Sequence, residues 1–393
     1  MDAHLHGDMV QENLPVLMKN VVIIENHIIS ANTVRARLNQ VLMDAGYNVT
    51  ILSTGTSKEI GIAQKKGFKV IDVGTSNTNI LDVFKYIRNV RRALKDTRAD
   101  VCLTFTMRPA IWGNMVTRFL RIPTITNITG IGPLAESESF AYKVARTLYK
   151  FVLKKTALVF FQNKDDRDIF ISKKFVKAQQ VQIIPGSGID YEHFAPRPQK
   201  RNDGKFVFLF ISRLIKDKGI LEYVEAARNI AEQYAGVSCQ VLGPYYSQNL
   251  KENIITEKQI MHWLDNGIVQ YLGAADDVRP FIAEADCIVL PSYREGMSNV
   301  LLEAGSMQKP CITTDTTGCN DIIQDGITGY LCKVKDAVDL QEKMFRMIRA
   351  TPAERHSMGL KAREVVKEKF AKKIVTDAYL SAIEKIEAKK PGL

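Results

Sequence analysis

The residues with the most chemistry in them run Val289-Leu290-Pro291-Ser292-Tyr293-Arg294-Glu295-Gly296-Met297-Ser298-Asn299-Val300-Leu301-Leu302-Glu303-Ala304. This order of types predicts a strand, a short loop and then a helix capped by Ser298. With Asn299 and Val300 as its first helical residues, the free backbone N–H groups there would favour an anion. Glu295 falls in the loop and Glu303 about one turn inside the helix, so both are expected to face a ligand at the strand's end. Two carboxylates beside an anion site make sense if the ligand carries hydroxyls as well as phosphates, because carboxylates are strong acceptors for hydroxyl donors. A nucleotide sugar carries both. On these residues alone the plainer reading, a Glu303 that caps or solvates its helix, stays open.

A second segment, Ile211-Ser212-Arg213-Leu214-Ile215-Lys216-Asp217-Lys218-Gly219, again leaves a strand and enters a helix. It puts Arg213 and Lys218 at the carboxyl edge of a sheet, where two fixed cations would neutralise a diphosphate. Either residue alone reads as a solvated surface charge. Together with the two glutamates they make a matching site.

The elements that must position these groups follow a repeated strand–helix grammar, which implies parallel sheets. In the first half it runs through Val21–Ile24, a helix over 34–45, strands at 47–52, 69–73 and 101–106, helices at 79–95 and 112–120, and strands at 124–127, 158–162 and 181–184. After a polar, Pro-bearing stretch at 195–204 the grammar restarts with strands at 206–212, 237–242, 269–272, 287–291 and 310–313 and helices at 220–234 and 249–266. The expected organisation is a first doubly wound domain over 1–195, a linker over 196–204, a second doubly wound domain over 205–370 and a C-terminal helix over 371–393. That helix buries Ile374, Ala378, Leu380, Ile383 and Ile386 on one face. Ligands of such open sheets bind at strand carboxyl ends, and two facing domains add a cleft.

Composition narrows the partners. The 393 residues are 46% hydrophobic and 25% charged, an ordinary globular balance. No apolar run approaches the roughly 20 residues of a membrane-spanning helix, and residues 1–20 lack a secretory pattern, so a cytoplasmic address is expected. Six scattered cysteines show no metal-site or disulfide spacing. The net charge of +11 lies wholly in the first half: up to Pro185 there are 26 Lys and Arg against 15 Asp and Glu, and thereafter 28 against 28. That half is expected to face nucleic acid, anionic lipid or a phosphorylated substrate. Within it, Lys143, Arg146, Lys150 and Lys154 recur at helical spacing, with Val144, Leu148, Phe151 and Val152 mostly on other faces. Such a basic amphipathic helix suits an anionic membrane, or is simply a solvated face. No nucleic-acid motif appears, so nucleic acid is not expected as a partner. Neither first strand is followed by the Gly-x-Gly-x-x-Gly of nicotinamide-dependent oxidoreductases.

The second half resembles the nucleotide-binding domain of family-4 retaining glycosyltransferases of the GT-B fold. The likeness runs over about 205–340, through Ser212-Arg213-Leu214, Lys218-Gly219, Val241-Leu242-Gly243, Tyr271-Leu272-Gly273, Ala285-Asp286 with Leu290-Pro291-Ser292, and Glu295 to Glu303. The resemblance implies that Glu303 binds the nucleotide ribose, Glu295 contacts the transferred sugar and Arg213 and Lys218 hold the diphosphate. It implies further that Gly243, Leu272 and Gly273 line the base pocket, with uracil preferred. Met297-Ser298 departs from the family's usual aromatic or Leu followed by Pro. Asp325-Gly326-Ile327-Thr328-Gly329 resembles its glycine-bearing turn, a structural feature.

The first half resembles the capsule and glycolipid branch of the same family, at Arg35 and Leu38, at Thr106-Met107-Arg108-Pro109 and at Asn127-Ile128-Thr129-Gly130-Ile131-Gly132. Ser30-Ala31-Asn32 stands where many relatives carry a glycine pair, and Asn127 where they carry a histidine. His27, Arg108, Asn127 and Thr129 are the acceptor-side candidates, Arg108 for an acceptor phosphate; for His27 a structural role stays open. The implied reaction moves a hexose or N-acetylhexosamine from a nucleoside diphosphate to a hydroxyl of a polyprenyl-diphosphate-linked glycan, with retention and without metal or cofactor, on the inner face of the plasma membrane. A GT-B epimerase or phosphorylase is the nearest rival.

Overall fold

A computed structural model describes residues 19–74, 79–131, 140–245 and 255–389. In the first half, β1 (Asn20–Ile24), β2 (Asn48–Ser53), β3 (Lys69–Asp72), β4 (Val101–Phe105), β5 (Thr124–Ile128), β6 (Leu158–Phe161) and β7 (Val181–Ile183) alternate with α1 (Ile28–Asn32), α2 (Ala36–Asp44), α3 (Ser57–Lys65), α4 (Ile80–Asp96), α5 (Asn114–Leu120), α6 (Phe140–Leu153) and α7 (Lys164–Ser172). The strands pair in parallel in the order β3-β2-β1-β4-β5-β6-β7. Strands β1 and β4 are apolar along most of their length because helices cover both faces, and β5, also buried throughout, carries Thr124, Thr126 and Asn127 between its isoleucines.

The second half repeats the plan with β8 (Phe206–Ile211), α8 (Ile220–Gln233), β9 (Val237–Leu242), α9 (Glu257–Asp265), β10 (Gln270–Tyr271), α10 (Arg279–Glu284), β11 (Cys287–Leu290), α11 (Asn299–Ser306), β12 (Cys311–Thr314), β13 (Gly329–Cys332), α12 (Ala337–Arg349) and α13 (Pro352–Lys369). Its order is β10-β9-β8-β11-β12-β13. Each sheet therefore reverses direction once, between β1 and β4 and between β8 and β11. The gap left above such a reversal, at the strands' carboxyl ends, is where an open parallel sheet takes a ligand.

Several expectations shift in detail. The helix predicted over 34–45 is α2, and a further short helix, α1, precedes it, the chain turning at Thr33 between the two. The helix near 112–120 begins with a wide turn at Pro109–Gly113. Strand β13 follows directly from the Asp325–Gly329 turn, and α12 and α13 complete the half. The predicted start of α9 at Asn249, the tip of the 127–132 loop at Gly132 and residues 1–18 lie outside the described residues. All six cysteines are buried and unpaired.

The last helix, α14 (Lys372–Ala388), crosses back to the first half. Val375, Tyr379, Ala382 and Ile383 join a core built from Leu38, Leu42, Phe105 and Phe160, and the Tyr379 ring lies 4.8 Å from Phe160. Ile374, expected on the buried face, is 39% exposed; the stripe actually buried also takes in Val375, Thr376 and Tyr379. Backbone hydrogen bonds from Ile189 to Phe370 (2.8 Å) and from Lys372 to Ile189 (2.9 Å) fasten this crossing to the chain that joins the two halves.

Candidate active site

Arg213 leaves the end of β8, Lys218 closes the short turn that follows, and Glu295 sits in the loop after β11, so all three flank the reversal of the second sheet. Together with Ile215, Asp217, Arg294 and Gly296 they line a cavity of about 240 Å³, whose opposite wall is Gly130 and Ile131 of the first half. The Lys218 ammonium is 2.5 Å from the Glu295 carboxylate, with both side chains largely buried, and Arg213 is exposed. A cation and an acceptor held this close fit a ligand whose diphosphate and hydroxyls are neighbours.

The loop geometry explains why these residue types are required. Gly219 has φ of +73°, and a Cβ there would lie 2.0 Å from the Pro291 carbonyl oxygen. Only glycine lets the Lys218 turn pack against the β11 loop, where the Ser292 hydroxyl (3.2 Å) and the Tyr293 N–H (2.9 Å) both donate to the Asp217 carbonyl. Gly243 is more constrained still: at φ +150°, its Cβ would lie 1.7 Å from the Ser212 carbonyl oxygen. It ends β9 beside Leu272 and Gly273, and its N–H donates to the Gly273 carbonyl at 2.8 Å. The three expected base-pocket residues thus meet at the ends of β9 and β10.

Two donor-side expectations change. Ser298 occupies the N-cap position of α11, but its side chain makes no capping bond and its N–H is taken by the Gly318 carbonyl at 3.2 Å. Of the three residues expected to offer an amide there, Asn299 and Val300 remain, both partly exposed. Glu303 does not line the cavity that holds Glu295. It lies deeper, where burial pushes its carboxyl up to about 7 against the attraction of Lys372, while burial pulls Lys372 down to about 8. Lys372 starts α14 and donates to the Val34 carbonyl of the first half at 2.9 Å, so Glu303 lies towards the seam between the halves.

The acceptor-side candidates are spread out. Thr129 abuts the cavity through its carbonyl, which meets Gly296. His27 caps α1, its Nδ1 accepting from the Ile29 N–H at 3.4 Å and its Nε2 lying 3.9 Å from Glu59, which is the structural reading of that residue. Arg108, partly buried just after β4, does not line the cavity. Asn127 is buried in β5 and donates to the Tyr379 hydroxyl at 2.8 Å, leaving its Oδ1 without a protein partner. Beside this cluster a buried pair, Glu25 and Arg35 at 3.1 Å, sits at the end of β1, and burial raises Glu25 to about 7.

The sequence reading passed over the segment Asn163-Lys164-Asp165-Asp166, although an Asn followed three residues later by an acid is a helix-start signature. Asn163 caps α7, accepting from the Asp166 N–H at 2.8 Å, and the same segment reaches across to the Glu295 loop. Also missed was the outer face of α4, a helix that the sequence did predict: it carries exposed Ile80 (63%), Leu81 (70%) and Phe84 (64%), followed by exposed Lys85, Arg88, Arg91, Arg92 and Lys95. On α6, Val144 and Phe151 are exposed beside Lys143, Lys150 and Lys154, so its charged face is also partly apolar, contrary to expectation. The Arg118 guanidinium lies over Phe151 at 3.9 Å. Among the described residues no helix is long and apolar enough to cross a membrane.

Residues 205–350 match the family described as glycosyl transferases group 1, and residues 31–186 the glycosyl transferase 4-like domain. The chain is 27% identical, over 66% of its length and 69% of the relative's, to the UDP-Gal:alpha-D-GlcNAc-diphosphoundecaprenol alpha-1,3-galactosyltransferase of Escherichia coli. It is 26% identical, over 71% of its length and 76% of the relative's, to the N,N'-diacetylbacillosaminyl-diphospho-undecaprenol alpha-1,3-N-acetylgalactosaminyltransferase of Campylobacter jejuni. Among solved structures, a glycosyltransferase from Rickettsia africae superposes with a TM-score of 0.79 at 16% identity, covering 95% of this chain and all of the other. Anabaena HepE in complex with UDP and glucose superposes at 0.77 and 17%, covering 93% of this chain and 99% of HepE. The two sheets are those of the GT-B fold.

Proposed function

Because the chain belongs to the glycosyltransferases that join a 4-like domain to a group 1 domain, we propose that it moves a hexose or N-acetylhexosamine from a UDP-sugar, with retention, to a hydroxyl of a polyprenyl-diphosphate-linked glycan in surface polysaccharide, capsule or glycoprotein-glycan synthesis. The observation that carries this reading is the meeting of Arg213, Lys218 and Glu295 around one cavity at the reversal of the second sheet, roofed by the first half. The two relatives act, by their names, on sugars linked to diphosphoundecaprenol, which supports a lipid-linked acceptor. The HepE complex with UDP and glucose supports the donor.

In this mechanism the bond from the sugar's C1 to the diphosphate breaks and its electron pair leaves on the diphosphate oxygen. The acceptor oxygen bonds C1 from the same face, and its proton passes to the departing diphosphate. Negative charge grows on the leaving group, so Arg213, Lys218 and the Asn299 and Val300 amides stabilise the transition state more than the bound donor. Glu295 accepts from the sugar's hydroxyls and Glu303 from those of the ribose, with Gly243, Leu272 and Gly273 around the base. Two fixed cations supply what a metal would, so none is invoked.

The test is release of UDP from a panel of UDP-sugars in the presence and absence of a polyprenyl-diphosphate-linked sugar, with and without EDTA. The proposal requires acceptor-dependent release with retained anomeric configuration and no loss on chelation. Donor turned over alone to an epimer, or turnover that needs inorganic phosphate, would replace it with epimerase or phosphorylase chemistry. For the ribose contact, Glu303→Ala is expected to weaken UDP binding by about 10- to 100-fold, the size of a hydrogen bond to a charged group, as read by calorimetry; unchanged affinity removes that role.

A lipid-linked acceptor brings the enzyme to the inner face of the plasma membrane, and the outer face of α4 supports peripheral contact there. An apolar first turn followed by a basic stripe lets the tip enter the acyl boundary while the cations meet anionic headgroups. Vesicles containing phosphatidylglycerol are expected to float the protein at moderate salt. Leu81→Ser with Phe84→Ser is expected to cut that partition at least about tenfold, given roughly 1.5–3 kcal/mol per fully buried side chain. Recovery of the variant equal to the wild type would rule out this face.

A further inference from the structure

The loop that carries Glu295 is gripped from the first half by the start of α7. The Asn163 side-chain amide donates to the Gly296 carbonyl at 2.9 Å, and the Arg294 guanidinium donates to Asp166 at 2.6 Å. The Thr317 hydroxyl, from the neighbouring loop of the second half, donates to Asp165. Asp166 is 1% exposed at its side chain and also accepts from the Asn163 amide at 3.2 Å. A carboxylate buried this far is tolerated only where it is paired, so the pair fixes geometry rather than merely decorating a surface.

The residues on either side of Glu295 are therefore tied to one helix start in the opposite half. On its other flank the loop is held within the second half, the Glu295 N–H donating to the Thr317 carbonyl at 3.1 Å. Thr317 thus touches both the backbone of Glu295 and the carboxylate of Asp165. Resting on the donor assignment given above for Glu295, we infer that Asn163, Asp166 and Arg294 are positioning residues of the transfer reaction. They hold the sugar-contacting carboxylate at a fixed offset from the strand ends of the acceptor-side half, so that the two substrates' reacting atoms meet. Asn163 and Asp166 do not line the donor cavity, and Arg294, which does, turns its guanidinium to Asp166; each acts through the backbone or side chain next to Glu295.

The test is kinetic. Asp166→Asn keeps the volume of the side chain and removes its charge. With the UDP-sugar that the wild type turns over, it is expected to lower kcat about 10- to 100-fold, the size of effect that small misplacement of reacting groups produces, with UDP affinity within about twofold because the diphosphate clamp lies wholly in the second half. Arg294→Met is expected to match it, Arg294→Lys to recover part of the loss, and the double variant Asp166→Asn, Arg294→Met to be no worse than either single one. Thermal unfolding identifies any variant that fails to fold, and Arg294→Lys then serves in its place. A wild-type kcat in Asp166→Asn, losses that multiply in the double variant, or UDP affinity falling in step with kcat would overturn the inference. Should the wild type turn over no UDP-sugar, the donor reading fails separately, and amide hydrogen exchange over residues 294–298 decides the clasp: faster exchange in Asp166→Asn sustains it and unchanged exchange overturns it.

Discussion

Lys218→Ala is expected to lower the rate of glycosyl transfer by about 100- to 1,000-fold, the range found when one preorganised group facing developing charge is removed. The expectation follows from where the charge goes. The donor's diphosphate already bears negative charge when it binds, but cleavage of the C1–oxygen bond adds to it, and a fixed cation whose own side chain is largely buried feels that increment with less screening than an exposed one. Lys218 is such a cation, 16% exposed at its side chain and held by Glu295 at 2.5 Å. Arg213 is exposed, so its own replacement is expected to cost less. The same salt bridge complicates the experiment, because the alanine variant also strips Glu295, whose side chain is 13% exposed in the wild type, of its partner. Setting the double variant Lys218→Ala, Glu295→Gln against Glu295→Gln alone separates the two causes: equal rates would assign the loss in Lys218→Ala to the stranded carboxylate, and a further loss in the double variant would assign it to the missing cation. A kcat within a few-fold of the wild type in Lys218→Ala would end the electrostatic account of the leaving group.

The meeting of Arg213, Lys218 and Glu295 was legible in the sequence because each lies within one strand–loop–helix segment. Arg213 and Lys218 are five residues apart and Glu295 lies in the loop after β11, so local propensity and strand ends suffice to bring these three to the sheet's edge, whereas Glu303, eight residues after Glu295, lies deeper. What sequence could not supply was the relation between segments. Ser298 has the residue type of a cap, yet its N–H is claimed by Gly318, twenty residues away and after another strand. His27 stands where a cleft residue is expected, but local geometry turns it onto α1. Glu303 is assigned to its helix by spacing alone, whereas its carboxyl is raised by burial against the attraction of Lys372, at the start of a helix that crosses back from the far end of the chain. The face on which α14 packs was likewise invisible, because its stripe of apolar residues says that something is covered and not what covers it. The same holds for Asn163 and Asp166: their helix-start pattern is local, and their partners at Gly296 and Arg294 are 133 and 128 residues away.

Gly296→Ala is expected to leave the donor half intact and yet remove most of the activity, by at least about 100-fold in kcat. The position differs from Gly219 and Gly243, where positive φ and contact with the same half's own backbone mean that any side chain strains the second domain itself. Gly296 has no positive φ, so alanine suits its backbone. What its Cβ would meet is the Thr129 carbonyl oxygen, at 1.9 Å, across the cleft. That oxygen belongs to the chain just past β5 and has no flexible end to swing away, so relief requires the two halves to part by at least about 1 Å, a displacement on the scale that costs two orders of magnitude in rate. The clamp of Arg213 and Lys218 moves with the second half and should go on binding UDP with nearly wild-type affinity. The expected signature is a split: calorimetry near the wild type, kcat collapsed, and a thermal transition still cooperative. Loss of UDP affinity together with kcat would mean instead that the alanine had disordered the Glu295 loop. Retained kcat would mean that the contact between Gly296 and Thr129 is not the arrangement in which the sugar is transferred.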